Sequence, residues 1–176
     1  MVVCMDVQAP PMEAGREPGP FAGYSDEEQP LAGRATLVGA FGVSLAAAVL
    51  AARITGREPP QRPHVADVVM VGVATHKLSR LLAKGKATSF LRAPFTEFEE
   101  PCGSGEVDER PRGTGVRRSV GELLVCPYCL SQWISAGFTT GLVLAPRPTR
   151  LVAASYSAQA LADFLQLAYR ACDSRT

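Results

Sequence analysis

The stretch LLVCPYCLSQWISAGFTTGLVLA, residues 123–145, decides the fold. It has no formal charge over its whole length, and a helix that rises about 1.5 Å per residue crosses the hydrocarbon core of a bilayer with roughly 20 such residues. Gly137 and Gly141 stand in a GxxxG spacing, which lets a second helix approach the backbone closely. The stretch therefore predicts a transmembrane helix.

Two other apolar blocks are long enough to cross a bilayer. Residues 31–53 are uncharged between Arg34 and Arg53, and residues 150–169 contain one charge in their interior, Asp163. A secretory signal fits the first block poorly, because the residues before the block are acidic where a signal is short and basic. The segment PRPTR separates the last two blocks, and so short a connection predicts antiparallel neighbouring helices.

A fourth block, residues 65–82, is less apolar than the others because it contains Asp67, His76, Lys77 and Arg80. Long cationic side chains can reach back to a membrane interface, and with that help the block spans the bilayer. Otherwise it forms an amphipathic helix that lies on the membrane surface. The sequence leaves both alternatives open.

Together these blocks predict an all-α protein, a helical transmembrane bundle of three to four spans. Residues 1–30, rich in Pro, Gly and acidic side chains, predict a disordered tail, because they have too few apolar groups to form a core. Residues 31–53 form the first span, and residues 65–170 form a membrane domain with a loop at 83–122. The predicted location is a cell membrane, crossed several times.

The predicted loop has two unlike halves. Phe90, Leu91, Phe95 and Phe98 give the first half an apolar stripe suited to a membrane surface. The second half, PCGSGEVDERPRGTGVRR, is rich in Gly, Pro and charged residues, and it predicts a flexible connector.

Cationic residues are distributed unevenly between the two sides of a four-span bundle. The side with both termini and the long loop has eleven: Arg16, Arg34, Lys84, Lys86, Arg92, Arg110, Arg112, Arg117, Arg118, Arg170 and Arg175. The other side has five: Arg53, Arg57, Arg62, Arg147 and Arg150. Because positively charged loops stay in the cytoplasm, the termini and the long loop are predicted to be cytoplasmic. The net charge of +1 does not indicate nucleic acid, so the predicted partners are the lipid bilayer and other membrane proteins or a second copy of the chain.

The tetrapeptide CPYC, Cys126 to Cys129, lies near the start of the stretch quoted first. Upstream of it, SVGE at residues 119–122 has the capping-box spacing and predicts a helix that begins near Val120. Pro127 disfavours helical geometry at Cys126, so either a short helix ends there and the span begins at Pro127, or one helix is kinked. In the first case the helix dipole favours a thiolate at Cys126.

Three roles compete for Cys126 and Cys129. As a dithiol, the pair has a spacing suited to attack on disulfides, although the apolar blocks after it argue against a soluble glutaredoxin fold. As a zinc site, the pair needs two further ligands, and the candidates are Cys102, His76, His64, Cys4 and Cys172. As packing residues, the cysteines fill a helix entrance, with Tyr128 and Trp133 near the membrane interface.

Ionisable residues inside the predicted spans form a second pattern. Gln159, Asp163 and Gln166 fall at i, i+4 and i+7 and make one polar stripe on the last helix. A charge that faces lipid costs about 3 kcal/mol on insertion scales, so we predict that Asp163 faces the bundle interior and pairs with Arg80 or His76. A pair that fixes helix register is favoured over an ion path, because few polar groups line a continuous route.

Several of these motifs together resemble a known family. THKLSRL (75–81), RAPFTEFEE (92–100) and CPYC followed by Trp133 are similar to the bacterial domain of unknown function 1360, over residues 65–170. The resemblance implies a small integral membrane protein of bacteria, in a family that includes a Bacillus sporulation membrane protein, and it implies no reaction. The residues that would match the family's recurrent marks are His76, Arg80, Arg92, Pro94, Phe95, Cys126, Pro127, Cys129, Trp133, Asp163 and Phe164.

The sequence gives no support to a hydrolase or a nucleotide enzyme, since it contains no HExxH motif and no phosphate-binding glycine loop. It favours a non-catalytic membrane protein, a structural or assembly component that acts through protein contacts. The alternative is a membrane-embedded thiol–disulfide or metal-handling protein that uses Cys126 and Cys129, with zinc as the metal and Cys102 and His76 as further ligands.

Overall fold

The computed structural model describes residues 21, 24–25 and 29–173, and this part of the chain is mostly helical. Its α-helices are α1 (Leu31–Ile54), α2 (Val65–Lys84), α3 (Ser89–Arg92), α4 (Gly115–Val125), α5 (Pro127–Leu144) and α6 (Pro146–Asp173). Its strands are β1 (Thr96–Pro101) and β2 (Val107–Pro111), and a 3-10 helix (Lys86–Thr88) precedes α3. The tail predicted for residues 1–30 lies almost wholly outside the described residues.

The chain divides into two compact units. The hairpin unit contains Met1–Val43 and Leu82–Pro127, and the helical unit contains Ser44–Leu81 and Tyr128–Thr176. The two strands, α3 and α4 belong to the hairpin unit, whereas most of α2, α5 and α6 belongs to the helical unit. The predicted loop therefore folds into a compact unit, and the prediction of a flexible connector is wrong.

An antiparallel hairpin forms where that connector was expected. β1 pairs with β2 so that Phe98 stands opposite Glu109. Gly103 and Gly105 take φ angles of 67° and 79° in the turn, which glycine adopts at little cost. The amide of Cys102 donates to the carbonyl of Glu106 at 2.9 Å and closes the turn. The all-α prediction is wrong here, because glycines that indicate flexibility also permit a tight turn.

Helix α4 packs against both the hairpin and the start of α1. A Cβ on Gly121 of α4 would meet the carbonyl oxygen of Phe95 at 2.6 Å, so this position needs glycine. Gly33 of α1 packs against Ser119 of α4 just as closely. The ion pair between Arg34 and Glu122, at 3.0 Å, adds a second link between α1 and α4.

The predicted capping box does not begin α4. This helix begins at Gly115 rather than near Val120, and Thr114 is its N-cap residue. Ser119 is buried, and its hydroxyl donates to the carbonyl of Pro30 at 3.2 Å. The Ser119 side chain thus satisfies a backbone group at the entry to α1, which a local spacing rule cannot foresee.

Between α4 and α5 the backbone breaks at Cys126. This residue has φ −99° and ψ 103°, an extended conformation, and α5 begins at Pro127. A proline ring disfavours helical geometry in the residue before it, and proline is well suited to the first helical position. The sequence left two alternatives open, and the structure has the first of them. A short helix, α4, ends before Cys126 and a new helix, α5, begins at Pro127, so there is no single kinked helix here.

This break shortens the predicted span at 123–145, since α5 has 18 residues. Among the residues that the structure describes, α1 alone is long and apolar enough to qualify as a membrane span by length and composition. It has 24 residues and a mean hydropathy of 2.1 over its most apolar window. A bundle of three to four spans is thus not shown, because α2, α5 and α6 do not qualify by length and composition together.

In the helical unit, α2, α5 and α6 share one small core. Its buried residues are Val71, Ala74, Phe138 and Ala153, and the partly buried residues around them are Met70, Leu78, Ile134, Leu142 and Tyr156. The core contains residues from each of these three helices. They therefore pack together through one continuous apolar contact.

α5 and α6 are neighbours, joined by Ala145 alone. The segment PRPTR, predicted as the connection between two helices, instead forms the start of α6. Pro146 and Pro148 have no backbone N–H, but the N–H groups of a helix's first turn have no acceptor within the helix, so no hydrogen bond is lost. A Cβ on Gly141 would meet Thr149 Oγ1 at 2.6 Å, so the GxxxG spacing brings α5 and α6 close at Gly141. Gly137 has open space around its Cα instead.

Three contacts show that α2 and α6 run in the same direction. Arg150 Nη2 lies 2.7 Å from Asp67 Oδ2 near the start of both helices. Farther along, Ser157 Oγ donates to the carbonyl of Met70 at 2.8 Å. The last is an ion pair between Lys77 on α2 and Asp163 on α6. Because the numbers rise together, the two helices are parallel.

Candidate functional site

Many large apolar side chains are exposed on the described helices. No residue in the most apolar 18-residue window of α1 is buried. In α1 as the structure describes it, Gly33 is the one buried residue. Large apolar side chains are also exposed on α2 and α6: Val65, Val68, Val69, Leu151, Leu161, Phe164, Leu165, Leu167 and Tyr169. Apolar surface marks a contact with another protein or with a membrane where it is contiguous.

The interior of the helical unit contains several small side chains beside the larger Val71, Leu130 and Phe138. Ala74 and Ala153 are fully buried, Ala160 is almost so, and Thr75 and Ser79 are buried beside them. Small residues at helix contacts with large apolar residues outside are typical of helices packed in a bilayer. Leucine-rich interiors with polar exteriors are the rule in water.

Asp163, predicted as the charge at the centre of the bundle, pairs with Lys77. The distance from Lys77 Nζ to Asp163 Oδ2 is 2.6 Å, with the side chains 21% and 51% exposed. Lys77 was not among the predicted partners, and pairing of Asp163 with Arg80 or His76 stays a prediction. In the parallel α2–α6 pair, Asp163 lies level with Lys77, and Arg80 lies almost one turn farther along α2.

A second ion pair joins the same two helices near their N-terminal ends. Arg150 donates through Nε at 2.8 Å and through Nη2 at 2.7 Å to the two carboxylate oxygens of Asp67. This bidentate geometry fixes both distance and rotation of the two side chains. Asp67 and Arg150 lie 83 residues apart along the chain, so the sequence gives no local signal for their pairing.

The most ordered polar group of the hairpin unit is the guanidinium of Arg92. It donates from Nε to Glu109 Oε2 at 3.0 Å and from Nη2 to Glu109 Oε1 at 2.8 Å. Its other N–H groups reach the carbonyls of Leu82 at 2.5 Å and Gly85 at 3.1 Å, and Thr88 Oγ1 at 2.9 Å. All five guanidinium N–H groups thus have acceptors.

Glu109 is equally well satisfied. Beside the two bonds from Arg92, its Oε2 accepts a hydrogen bond from Thr96 Oγ1 at 2.7 Å. Lys84, the last residue of α2, is paired with Asp108 of β2 at 2.6 Å. These bonds join the end of α2, the 3-10 helix, α3 and both strands. The network therefore links these elements of the hairpin unit to one another.

The family resemblance indicated Arg92 in the sequence, whereas nothing in the sequence indicated Glu109 as its partner. A buried arginine needs a carboxylate partner, and the acidic residues of the hairpin were the available candidates. Choosing Glu109 among them required the strand register, which places this residue opposite Phe98. The sequence therefore predicts that Arg92 has an acidic partner in the hairpin but does not predict which acidic residue it is.

Cys102, Cys126 and Cys129 are disulfide-bonded in this structure. Cys172 is a free, exposed thiol, and Cys4 lies outside the described residues. A disulfide sulfur is not a thiolate, so these three cysteines offer no zinc ligands while they stay oxidised. In the part of the chain that the structure describes, no three His, Cys, Asp or Glu side chains form a group that would hold a metal ion.

Comparison with known proteins places these features in a family. A family model described as Protein of unknown function (DUF1360) matches residues 70–169. The chain belongs to this family. The matched residues include the Arg92 network, Lys77, Asp163 and the three disulfide-bonded cysteines, whereas α1 lies outside them.

One curated relative is a sporulation protein, YjcA, of Bacillus subtilis (strain 168). It is 38% identical to this chain over 74 residues, which are 40% of this chain and 62% of that protein. The chain thus matches less than two thirds of the relative's length. No solved structure matches the chain.

Proposed function

We propose that this chain is a multi-pass integral membrane protein and acts as a non-catalytic structural or assembly component through contacts with other proteins. The observation that carries the proposal is α1, an apolar helix of 24 residues whose most apolar window has no buried residue. Exposing that much apolar surface to water costs about 25 cal/mol per Å². A bilayer removes this cost.

The helical unit supports further spans by α2, α5 and α6. Its buried residues include the small Ala74, Ala153 and Ala160, and many of its exposed residues are large and apolar, as lipid contact favours. Its two lateral ion pairs, Asp67–Arg150 and Lys77–Asp163, join neighbouring helices, so each charge has a partner. A parallel α2 and α6, with α5 antiparallel between them in the chain, is the arrangement that four alternating spans require.

Four alternating spans would put the chain between α2 and α5 and both termini on one side of the membrane. The cation count of eleven against five supports the cytoplasm as that side. In the cytoplasm, disulfides are usually transient and serve catalysis or redox sensing. The disulfide-bonded state of Cys126 and Cys129 therefore favours a second candidate function, thiol–disulfide chemistry at CPYC.

The topology is tested with an epitope tag inserted between Gln61 and Arg62 and, in a second variant, placed after Thr176. Four spans predict that antibody reaches the first tag on intact cells and the second tag only after the cells are opened. Extraction at alkaline pH provides the control, since an integral protein stays with the membrane pellet. If both tags become accessible under the same condition, or if the protein is extracted, the four-span proposal is wrong.

A further inference from the structure

Three large apolar side chains of the hairpin unit are exposed although they lie beside its most ordered network. Phe90 is 70% exposed, Leu91 51% and Phe98 63%, whereas Arg92 next to them is fully buried. None of these three belongs to the apolar core of the helical unit. Packing inside the chain therefore does not explain why they are apolar.

Phe90 and Leu91 are held at the end of α2. Arg92, which follows them in α3, donates to the carbonyls of Leu82 and Gly85, at the last turn of α2 and just after it. Leu82 to Lys84 belong to the hairpin unit, so these contacts lie within one compact body. α3 is consequently fixed to the last turn of a helix that we propose to cross the membrane.

Phe98 lies on the face of the hairpin that α3 covers. It stands opposite Glu109 in the strand register, and directly opposed residues project from the same face of a sheet. Glu109 bonds Arg92 of α3, which identifies that face. The adjacent pair, Glu97 and Arg110, projects from the other face and forms an ion pair at 3.0 Å.

The hairpin thus has one charged face, and Phe98 is exposed on the other face, which α3 with Phe90 and Leu91 covers. Such a two-sided surface, fixed where a spanning helix ends, has the position and polarity of a membrane interface. Lys86, exposed between α2 and α3, adds a cation suited to anionic headgroups.

We propose that Phe90, Leu91 and Phe98 form a lipid-contact patch that inserts into the headgroup region of the bilayer at the end of α2. This inference rests on the proposed function, because it needs α2 in the membrane. The ligand is the phospholipid surface itself, with anionic lipid favoured by Lys86. The patch then anchors the hairpin unit to the leaflet and restricts its motion about the end of α2.

The test uses tryptophan fluorescence in the full-length protein, in a Trp133→Phe background, reconstituted in phosphatidylcholine and phosphatidylglycerol vesicles with brominated acyl chains. The tryptophan fluorescence of Phe90→Trp and Phe98→Trp is expected to be quenched most when the bromine lies near the headgroups. Both variants should also emit at a shorter wavelength than free tryptophan in buffer. Glu97→Trp, one residue away on the charged face, is the matched control and should keep its intensity.

Native Trp133, in α5, reports separately on the proposed function. If Trp133 is quenched by bromine deep in the bilayer while Phe98→Trp and Phe90→Trp are no more quenched than Glu97→Trp, the lipid-contact patch is wrong and the membrane protein stands. A protein partner would be the occupant in that case. If Trp133 also escapes quenching at every depth, the membrane proposal itself fails and the patch fails with it.

Discussion

Arg92 and Glu109 are joined by two parallel hydrogen bonds of 3.0 and 2.8 Å in a place where the side chains are only 1% and 5% exposed. A charge pair this deeply buried does not by itself prove large stabilisation, because desolvating both ions offsets much of their attraction. Removing one partner is different, since the other charge is then left buried and uncompensated. The pair therefore makes the hairpin unit sensitive to single substitutions.

Glu109→Ala is expected to destabilise the hairpin unit by about 3–5 kcal/mol, because the Arg92 guanidinium loses its counter-charge while it stays buried. Thermal unfolding of the purified protein in detergent measures the loss. The control is Glu97→Ala, which breaks the exposed ion pair between Glu97 of β1 and Arg110 of β2. This change should lower the free energy of unfolding by at most about 1 kcal/mol. Equal losses from the two variants would show that the Arg92 network does not hold the unit together.

Gly121→Ala tests the contact between α4 and the hairpin. The new Cβ would meet the Phe95 carbonyl oxygen at 2.6 Å, so backbone must shift. Overpacking of this kind costs about 1–3 kcal/mol. The matched change is Gly137→Ala on α5, which has open space and gains helix propensity of up to about 1 kcal/mol. An unchanged midpoint of unfolding for Gly121→Ala would contradict the described packing.

Local chemistry allowed four of the helices and one break to be predicted from the sequence. Long apolar runs indicated α1, α5 and α6, the mixed block indicated α2, and Pro127 indicated the interruption at Cys126. Each of these rests on residues within a turn or two of one another, where side-chain chemistry acts directly on the backbone. The family resemblance likewise rested on contiguous motifs.

The contacts between distant residues escaped prediction. Three of these contacts depend on the register between elements: Arg92 with Glu109, Lys77 with Asp163, and Ser119 with Pro30. Register is set by packing of the whole unit and leaves no mark in local spacing. The hairpin was missed for the opposite reason, since its glycine-rich turn has the same composition as a flexible connector.

The ion pair between Lys77 and Asp163 distinguishes a membrane environment from water. In water, a pair as exposed as this one contributes about 0–1 kcal/mol, so Asp163→Asn should change stability little. In a bilayer, Asp163→Asn leaves Lys77 unpaired against lipid at a cost of about 3 kcal/mol. We expect the second result, measured as lower abundance in membranes and a lower unfolding temperature after reconstitution.

Charge exchange completes this test. The double variant Lys77→Asp with Asp163→Lys keeps the pair and should recover most of the abundance that either single change loses. Failure of the exchange to recover abundance, with Asp163→Asn as stable as the unaltered protein, would mean that the pair contributes nothing in the membrane.

The oxidation state of CPYC is measured by labelling Cys102, Cys126 and Cys129 with a membrane-impermeant maleimide, followed by peptide mapping, in a Cys172→Ser variant that keeps every other cysteine. Because Cys102, Cys126 and Cys129 are disulfide-bonded, label should enter only after reduction, and with a cytoplasmic hairpin unit only after the cells are opened. A variant that keeps Cys172 is the positive control, since that thiol is free and exposed and should label in opened cells without reductant.

The outcomes separate the two functions. Label that needs both opening and reduction supports a reversible cytoplasmic disulfide, since a permanent one does not persist there. If intact cells take up label after reduction, the labelled cysteines lie outside the cytoplasm. The disulfides would then be structural, and the orientation inferred from the cation count would be wrong. Label that enters without reductant would contradict the disulfides and leave free thiols at CPYC as the species to study.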